Sequence, residues 1–101
     1  MSRVLVVNEK DNVAVALEAL EKGAEVLVTL PGGSAQERIV VKGEVPFGHK
    51  LALTDIAAGE NVIKYGHAIG NATSGIRRGE HVHVHNVASG KGRGDLNSPR
   101  G

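Results

Sequence analysis

Residues 75–86 read Gly-Ile-Arg-Arg-Gly-Glu-His-Val-His-Val-His-Asn, the strongest fold signal in this chain of 101 residues. From His81 onward polar and apolar residues alternate, and a period of two is typical of a β-strand, whose side chains point to opposite faces. We predict one strand over His81–Asn86, with Val82 and Val84 towards the core and the three histidines on the other face. Because imidazole transfers protons near neutral pH and binds divalent metals, that face is the predicted functional surface.

The first half of this stretch repeats an earlier one. Residues 55–62, Asp-Ile-Ala-Ala-Gly-Glu-Asn-Val, match residues 75–82 at the Ile, Gly, Glu and Val positions. In each copy the Ile is expected to enter the core, the Gly to reverse the chain and the Glu to open the next strand. The repeat indicates a compact, pseudo-symmetric β module. The alternative is coincidence, since Gly-Glu turns before strands are common.

The amino-terminal part of the chain combines predicted strands with one predicted helix. Val13, Leu17 and Leu20 recur at helical spacing, and the side chain of Asp11 or Asn12 can cap the free N–H groups of a following helix. Strand character occupies three further segments: Ser2–Val7, Ala24–Leu30 and Arg38–Val41. We therefore predict a mainly β fold of the α+β class with one amino-terminal helix.

Length and composition favour one domain followed by a tail. A chain of this length supports one modest core, and 41% apolar residues suffice to build it. The predicted domain occupies residues 1–88, whereas residues 89–101 contain glycine, serine and proline but few apolar side chains. Such a segment cannot bury enough surface to offset its ordering entropy, so we predict a flexible Gly-rich carboxy-terminal tail.

Charge and composition exclude several classes of function. The net charge is +1, and without the tail residues Lys91, Arg93, Arg100 and Asp95 the rest of the chain carries −1, so no basic surface for nucleic acid is expected. One Phe, one Tyr and no Trp leave little for stacking on bases. With no cysteine, disulfides and thiolate metal sites are excluded. No apolar run suits a signal segment or a membrane span, so we expect a cytoplasmic location.

Several motifs resemble the amino-terminal domain of altronate and galactarate dehydratases. The resemblance covers roughly Met1–Asn86 and is carried by Asp11–Leu17, by Gly48–Ile56 (Gly-His-Lys-Leu-Ala-Leu-Thr-Asp-Ile), by Gly59–Gly66 (Gly-Glu-Asn-Val-Ile-Lys-Tyr-Gly), by Ile69-Gly70 and by Gly79–Asn86. That domain belongs to the SAF group, which adopts a β-clip architecture. The resemblance therefore implies a SAF module of the β-clip type.

The resemblance also implies one subunit of a lyase. In the dehydratases this module is joined to a much larger catalytic region, whereas the ending Gly92–Leu96 resembles free-standing forms similar to the small subunit of sulfolactate sulfo-lyase. The implied reaction eliminates water, or sulfite, from a sugar acid or a small 2-hydroxy acid. The implied partner is a separate large subunit, without which the chain is expected to be inactive. The family further implies a divalent metal, typically iron, held by this chain or by its partner.

Five residues form the predicted site, with His49, His83 and His85 as catalytic residues and Lys50 and Asn86 as substrate-binding residues. On one strand face His83 and His85 lie about 6–7 Å apart at Cα, close enough to share one metal ion as ligands. They can equally contact substrate, transfer protons or make structural hydrogen bonds.

The other three members of the site also have two interpretations each. His49 and Lys50 follow a tight turn and suit proton transfer beside a bound carboxylate, unless the lysine is merely solvated and the histidine caps the turn. Asn86 can contact a substrate hydroxyl or cap the strand. Of the remaining histidines, we expect His81 at a solvated or interface position and His67 on the surface.

A non-catalytic function is the alternative to a lyase subunit. SAF domains also serve as modules that bind sugar-like ligands or support assembly, and here the histidine face would pack on a partner or hold a sugar acid. The isolated chain could then form a homo-oligomer. Calorimetry with sugar acids on the chain alone discriminates between the two functions.

Overall fold

The computed structural model describes residues 3–31 and 36–89, which fold into short antiparallel strands. These are β1 (Val4–Leu5), β2 (Val13–Ala16), β3 (Glu25–Thr29), β4 (Gln36–Val40), β5 (Lys50–Ala52), β6 (Asn61–Lys64), β7 (His67–Ala72), β8 (His81–Val82) and β9 (Val87–Ser89). Within the two described ranges there is no helix, and hence none long and apolar enough to cross a membrane. Apart from Ser89, the predicted tail of residues 89–101 lies outside the described residues.

The strands form three sheets, with the orders β1-β2-β5-β8, β3-β4 and β6-β7-β9. Neighbouring residues of the four-stranded sheet enter two different cores. On β2, Val13 faces one core and Ala14 the other, and on β5 Ala52 and Leu51 divide in the same way. All four residues are at most 1% exposed. The four-stranded sheet therefore lies between two apolar cores, one shared with β3-β4 and the other with β6-β7.

Four equivalent turns connect these strands. Each has a buried apolar residue, a glycine three positions later and a second buried apolar residue after three more; the four copies are Leu20–Val26, Val45–Leu51, Ile56–Val62 and Ile76–Val82. The glycines have φ between 84° and 92°, a left-handed conformation that glycine adopts without steric cost. The predicted repeat of residues 55–62 and 75–82 is thus confirmed, and two further copies accompany it.

The four turns associate in two pairs. Isolated antiparallel bridges join Leu20 to Val45 and Ile56 to Ile76. In each pair, the glycine N–H of each turn donates to the carbonyl that lies four residues before the first apolar residue of the other turn. The four bonds run from Gly23 to Val41, Gly48 to Ala16, Gly59 to Ala72 and Gly79 to Ala52, all at 2.7–2.9 Å. The same bonds in both directions give each pair a local pseudo-twofold symmetry.

The glutamates of the predicted repeat have a structural role in it. The Oε1 atom of Glu60 accepts the N–H of Ala57 at 2.6 Å, and the Oε1 atom of Glu80 accepts the N–H of Arg77 at 2.8 Å. Each glutamate directly precedes a strand, as predicted. The carboxylates therefore close their own turns.

The predicted amino-terminal helix is wrong, because Val13–Ala16 is strand β2, paired on both sides with β1 and β5. A central strand with cores on both faces does not alternate between apolar and polar residues, so its apolar positions can mimic helical spacing. The expected cap residues serve another purpose. Asp11 Oδ1 accepts the N–H of Gly66 at 2.8 Å, and Asn12 Oδ1 accepts the N–H of Ile63 at 2.7 Å. They fasten the β6–β7 hairpin to the start of β2.

The other predicted strands agree with the structure except at their ends. Ala24–Leu30 corresponds to β3 and Arg38–Val41 to β4, and these two strands form a hairpin. Of the predicted strand Ser2–Val7, Ser2 lies outside the described residues, and of the rest only Val4–Leu5 forms a strand, β1. Mainly β architecture is therefore confirmed, whereas the α component is absent from the part of the chain that the structure describes.

Candidate functional site

The pairing of β5 with β8 places two histidines opposite each other. In this antiparallel ladder Leu51 faces His81 and Lys50 faces Val82. Continuing the register by one pair brings His49, directly before β5, opposite His83, directly after β8. Their rings stack with centroids 3.9 Å apart and an interplanar angle of 15°.

The predicted strand over His81–Asn86 is wrong, because β8 ends at Val82 and residues 83–86 form a turn. Asn86 is 8% exposed, and its side chain closes this turn. Its Oδ1 accepts the N–H of His83 at 3.0 Å, and its Nδ2 donates to the carbonyl of His81 at 2.9 Å. The turn directs Val84 outwards with 81% exposure, so its predicted core position is also wrong, whereas Val82 is fully buried as predicted.

Although the strand is interrupted, the turn keeps the histidines together. The ring centroid of His81 lies 5.1 Å from that of His49, 5.7 Å from that of His83 and 4.9 Å from that of His85. Nδ1 of His49 and Nε2 of His81 are 2.9 Å apart, a hydrogen-bond distance when one of them carries the proton. We call these four side chains the histidine cluster. His81, which was expected at a solvated or interface position, lies at its centre.

Three members of the cluster can offer nitrogen ligands to one cation. One ring nitrogen each from His49, His81 and His83 lie within 4.8 Å of one another, and all three residues are half-buried. Nδ1 of His83 is buried and has no hydrogen-bond partner among the described residues, so its capacity for a bond is unused. His85 is not part of this set of three. A role for His85 as a ligand, and the predicted catalytic and substrate-binding roles, stay predictions.

Electrostatics keep the centre of the cluster neutral. Burial, followed by the neighbouring His85, His49, His83 and Lys50, lowers the pKa of His81 from 6.5 to about 4. Burial, followed by the neighbouring His49, Lys50 and His85, also lowers the pKa of His83. A neutral imidazole retains a lone pair that can bind a cation or accept a proton.

Lys50 is half-buried beside this cluster, and His67 lies apart from it. Burial, and then the charge of Lys64, lower the pKa of Lys50. Its charge in turn acts on His81 and His83, which makes this edge of the sheet electropositive. His67 is exposed at the start of β7, as predicted for a surface histidine.

A cavity of about 340 Å³ opens beside the cluster. Its walls come from the residues after β4, from the turn that begins at Ile76 and from the histidine turn: Lys42, Ser74, Glu80, His81, His85 and Asn86 are among them. Lys42, Ser74 and Glu80 were not found by sequence reasoning. Lys42 and Ser74 belong to no motif, and the repeat gave Glu80 only a structural role, so only the folded turns place these residues beside the histidines.

Comparison with known proteins identifies this module. Residues 2–90 match the family described as the altronate/galactarate dehydratase SAF domain. The chain belongs to this family. The resemblance seen in the motifs around His49 and His81–Asn86 is therefore confirmed over nearly the whole described region.

Relatives of this SAF domain occur in two sizes. Altronate dehydratase of Escherichia coli (strain K12) is 51% identical over 77 residues, which are 76% of this chain but only 14% of that protein. The (2R)-sulfolactate sulfo-lyase subunit alpha of Chromohalobacter salexigens is 42% identical over 89 residues, 86% of this chain and 95% of the subunit. The corresponding subunit of Paracoccus pantotrophus is 38% identical over 61 residues, 91% of its length. The SAF domain thus forms a small part of a long dehydratase or almost all of a lyase subunit.

Proposed function

We propose that this chain is the small subunit of a hydroxy-acid lyase and that a separate large subunit completes its active site. The observation that carries the proposal is the histidine cluster: four imidazoles from two chain segments gathered on one edge of a SAF domain. The Chromohalobacter salexigens relative, of which this chain covers 95%, is itself a lyase subunit, named alpha. The active site of such a chain would include residues of both subunits.

The proposed reaction is an elimination from a sugar acid or a small 2-hydroxy acid. A base removes the proton α to the carboxylate, the electron pair forms a double bond to the β carbon, and the β-substituent leaves, either as hydroxide that an acid protonates to water or as sulfite. His49, His83 and His85 are the proposed proton-transfer residues, and the lowered pKa of His83 means that it is neutral and ready to accept a proton at neutral pH. Lys50 is proposed to hold the substrate carboxylate by its charge, and Asn86 to contact a hydroxyl while it closes the turn.

The residues present fit a divalent metal such as iron. One ring nitrogen each from His49, His81 and His83 lie within 4.8 Å of one another, and Nδ1 of His83 has no hydrogen-bond partner among the described residues. Both features match the preference of first-row divalent metals for nitrogen ligands. His49, His81 and His83 would hold the ion, and with the ion bound the proton transfer would fall to His85, because a coordinated nitrogen cannot accept a proton. A bound cation would supply positive charge that stabilises the negative charge developing on the substrate carboxylate. The set includes no carboxylate, so further ligands are left to the large subunit or the substrate.

The test is reconstitution with a large chain from the same organism that is similar to the rest of altronate dehydratase. We expect the small chain alone to be inactive and the pair to release water from altronate or galactarate, or sulfite from sulfolactate. His83→Ala and His85→Ala should each lower kcat by about 100-fold or more, the usual contribution of a proton-transfer group. His67→Ala, at an exposed histidine outside the cluster, is the matched control and should change kcat less than about twofold.

Two results would contradict the proposal. A pair without activity on any of these acids would remove the lyase function. Full activity of both cluster variants would remove the histidines from the mechanism. Millimolar or tighter binding of a sugar acid to the isolated chain, without activity of the pair, would instead favour the non-catalytic binding module.

The cytoplasm remains the proposed compartment, since a chain without cysteine gains nothing from an oxidising one.

A further inference from the structure

Phe47 and Val84 are the two most exposed large apolar side chains of the described residues, at 69% and 81%. Both lie on the turns that carry the stacked imidazoles. Phe47 is in the turn that precedes His49, and Val84 directly follows His83. The histidine cluster is therefore flanked by two apolar side chains that face solvent.

The fold does not require an apolar residue at position 47. Phe47 directly precedes the glycine of its turn, and the three equivalent turns carry Lys22, Ala58 and Arg78 at that position. The same backbone geometry therefore forms with a cation or a methyl group in place of the phenyl ring. Since exposed aromatic side chains are typical anchors of protein interfaces, the ring is better explained by something that binds it.

Two lysines lie beside the histidine cluster. Lys50 is half-buried directly after His49, and Lys42 lines the cavity beside His81 and His85 together with Glu80. The two ion pairs of the described residues lie elsewhere, between Arg38 and Glu25 and between Arg78 and Glu37. A partner with carboxylates opposite Lys50 would be electrostatically complementary to this edge.

We propose that Phe47 and Val84 anchor the large lyase subunit over the histidine cluster, with an apolar pocket of that subunit receiving Phe47 and its carboxylates facing Lys50. The inference rests on the proposed function, which supplies the partner. The large subunit suits this edge better than a second copy of the chain for two reasons. A second copy would bring together two like-charged edges. The E. coli altronate dehydratase, of which this domain matches 14%, contains the remaining chain that could cover the same edge.

The test is the affinity between the small and large subunits of the reconstituted lyase. Phe47→Ala installs the residue of the equivalent turn at Ala58, and Val84→Thr preserves the shape of the side chain, so both variants should fold. We expect Phe47→Ala to raise the dissociation constant about tenfold or more and Val84→Thr to raise it about threefold. Val7→Thr, the same change at a valine 54% exposed, is the control and should leave the affinity unchanged.

Activity distinguishes loss of docking from damage to the site. With excess large subunit the variants should regain a kcat within about twofold of the wild type, because anchors on the rim of a site change assembly and not chemistry.

Three outcomes would overturn the inference. If Phe47→Ala and Val84→Thr bind an active large subunit as tightly as the wild type does, the docking surface is wrong and the lyase function stands. If the wild-type chains neither associate nor turn over substrate, the proposed function fails as well. If sedimentation shows that the variants abolish only self-association of the small chain, the surface belongs to a second copy.

Discussion

The paired glycine turns and the histidine cluster use the same strands but differ in how well their groups are satisfied. In the turns, the apolar residues are buried and every glycine N–H has a carbonyl partner. In the cluster, one buried nitrogen has no partner among the described residues, a lysine adjoins the histidines, and two large apolar side chains face solvent. The turns are optimised for stability, whereas the cluster keeps unused binding capacity, which is typical of a site that acts on something outside the chain.

The largest contrast is expected between a core residue and an exposed residue beside the histidine cluster. Ile76 is 2% exposed in the core shared with β6 and β7, so Ile76→Ala should lower the free energy of unfolding by about 2–5 kcal/mol through lost burial and a cavity. Val84→Ala should change it by less than about 0.5 kcal/mol, because the side chain is already in solvent. Chemical denaturation of the isolated chain measures both values. Equal effects would show that the rim contributes to the fold as much as the turns do.

Within the turns, two glycines should differ in the cost of a methyl group. At Gly79, φ is 92° and an added Cβ would lie 2.4 Å from the carbonyl oxygen of Val40, so Gly79→Ala should cost more than about 2 kcal/mol. At Gly59, φ is 90° but nothing lies within 4 Å, so Gly59→Ala should cost only about 1–2 kcal/mol of backbone strain. Urea midpoints of the two variants rank them. A larger loss for Gly59→Ala would contradict the close approach of β4 to the turn at Gly79.

A smaller effect is expected from pH. The pKa of His81 is 6.5 when unfolded and about 4 when folded, so between these values the unfolded chain binds the additional proton. The free energy of unfolding should therefore be highest above pH 6.5 and fall as the pH drops towards 4. The lowered pKa of His83 acts in the same direction. Thermal denaturation at about pH 7.5 and about pH 5 measures the loss, and His81→Gln should reduce it. An unaltered loss in His81→Gln would assign the effect to other groups.

Much of the framework could be predicted from the sequence. Strand character over Ala24–Leu30 identified β3, whose residues are alternately exposed and buried in the structure, and the Ile-Gly-Glu-Val match identified one pair of turns. The other pair has the same apolar and glycine spacing without the glutamate, so a search for Leu20-x-x-Gly23 and Val45-x-x-Gly48 alone would have found it. Strand β2 was missed because its burial on both faces removes the alternation that marks a strand.

The candidate site could be predicted only in part. The alternation of His81, His83 and His85 led to the right residues through a wrong strand, because the side chain of Asn86 closes residues 83–86 into a turn directly after β8. His49 joins them through the register of β5 with β8, a pairing between residues about 30 positions apart that no local pattern reveals. Long-range pairing decides the geometry of the site, whereas local pattern decides only its members.

The order of the four-stranded sheet also constrains how the protein is made. Strand β5 lies between β2 and β8, so the sheet closes long loops on both sides of β5, and such non-local pairing is slow compared with the formation of local turns. His81, His83 and His85 follow every strand of the core shared with β3 and β4, so they are synthesised after it. A nascent chain can therefore form this core before the histidine cluster is complete, and a translation product that stops before β8 would lack three of the four imidazoles.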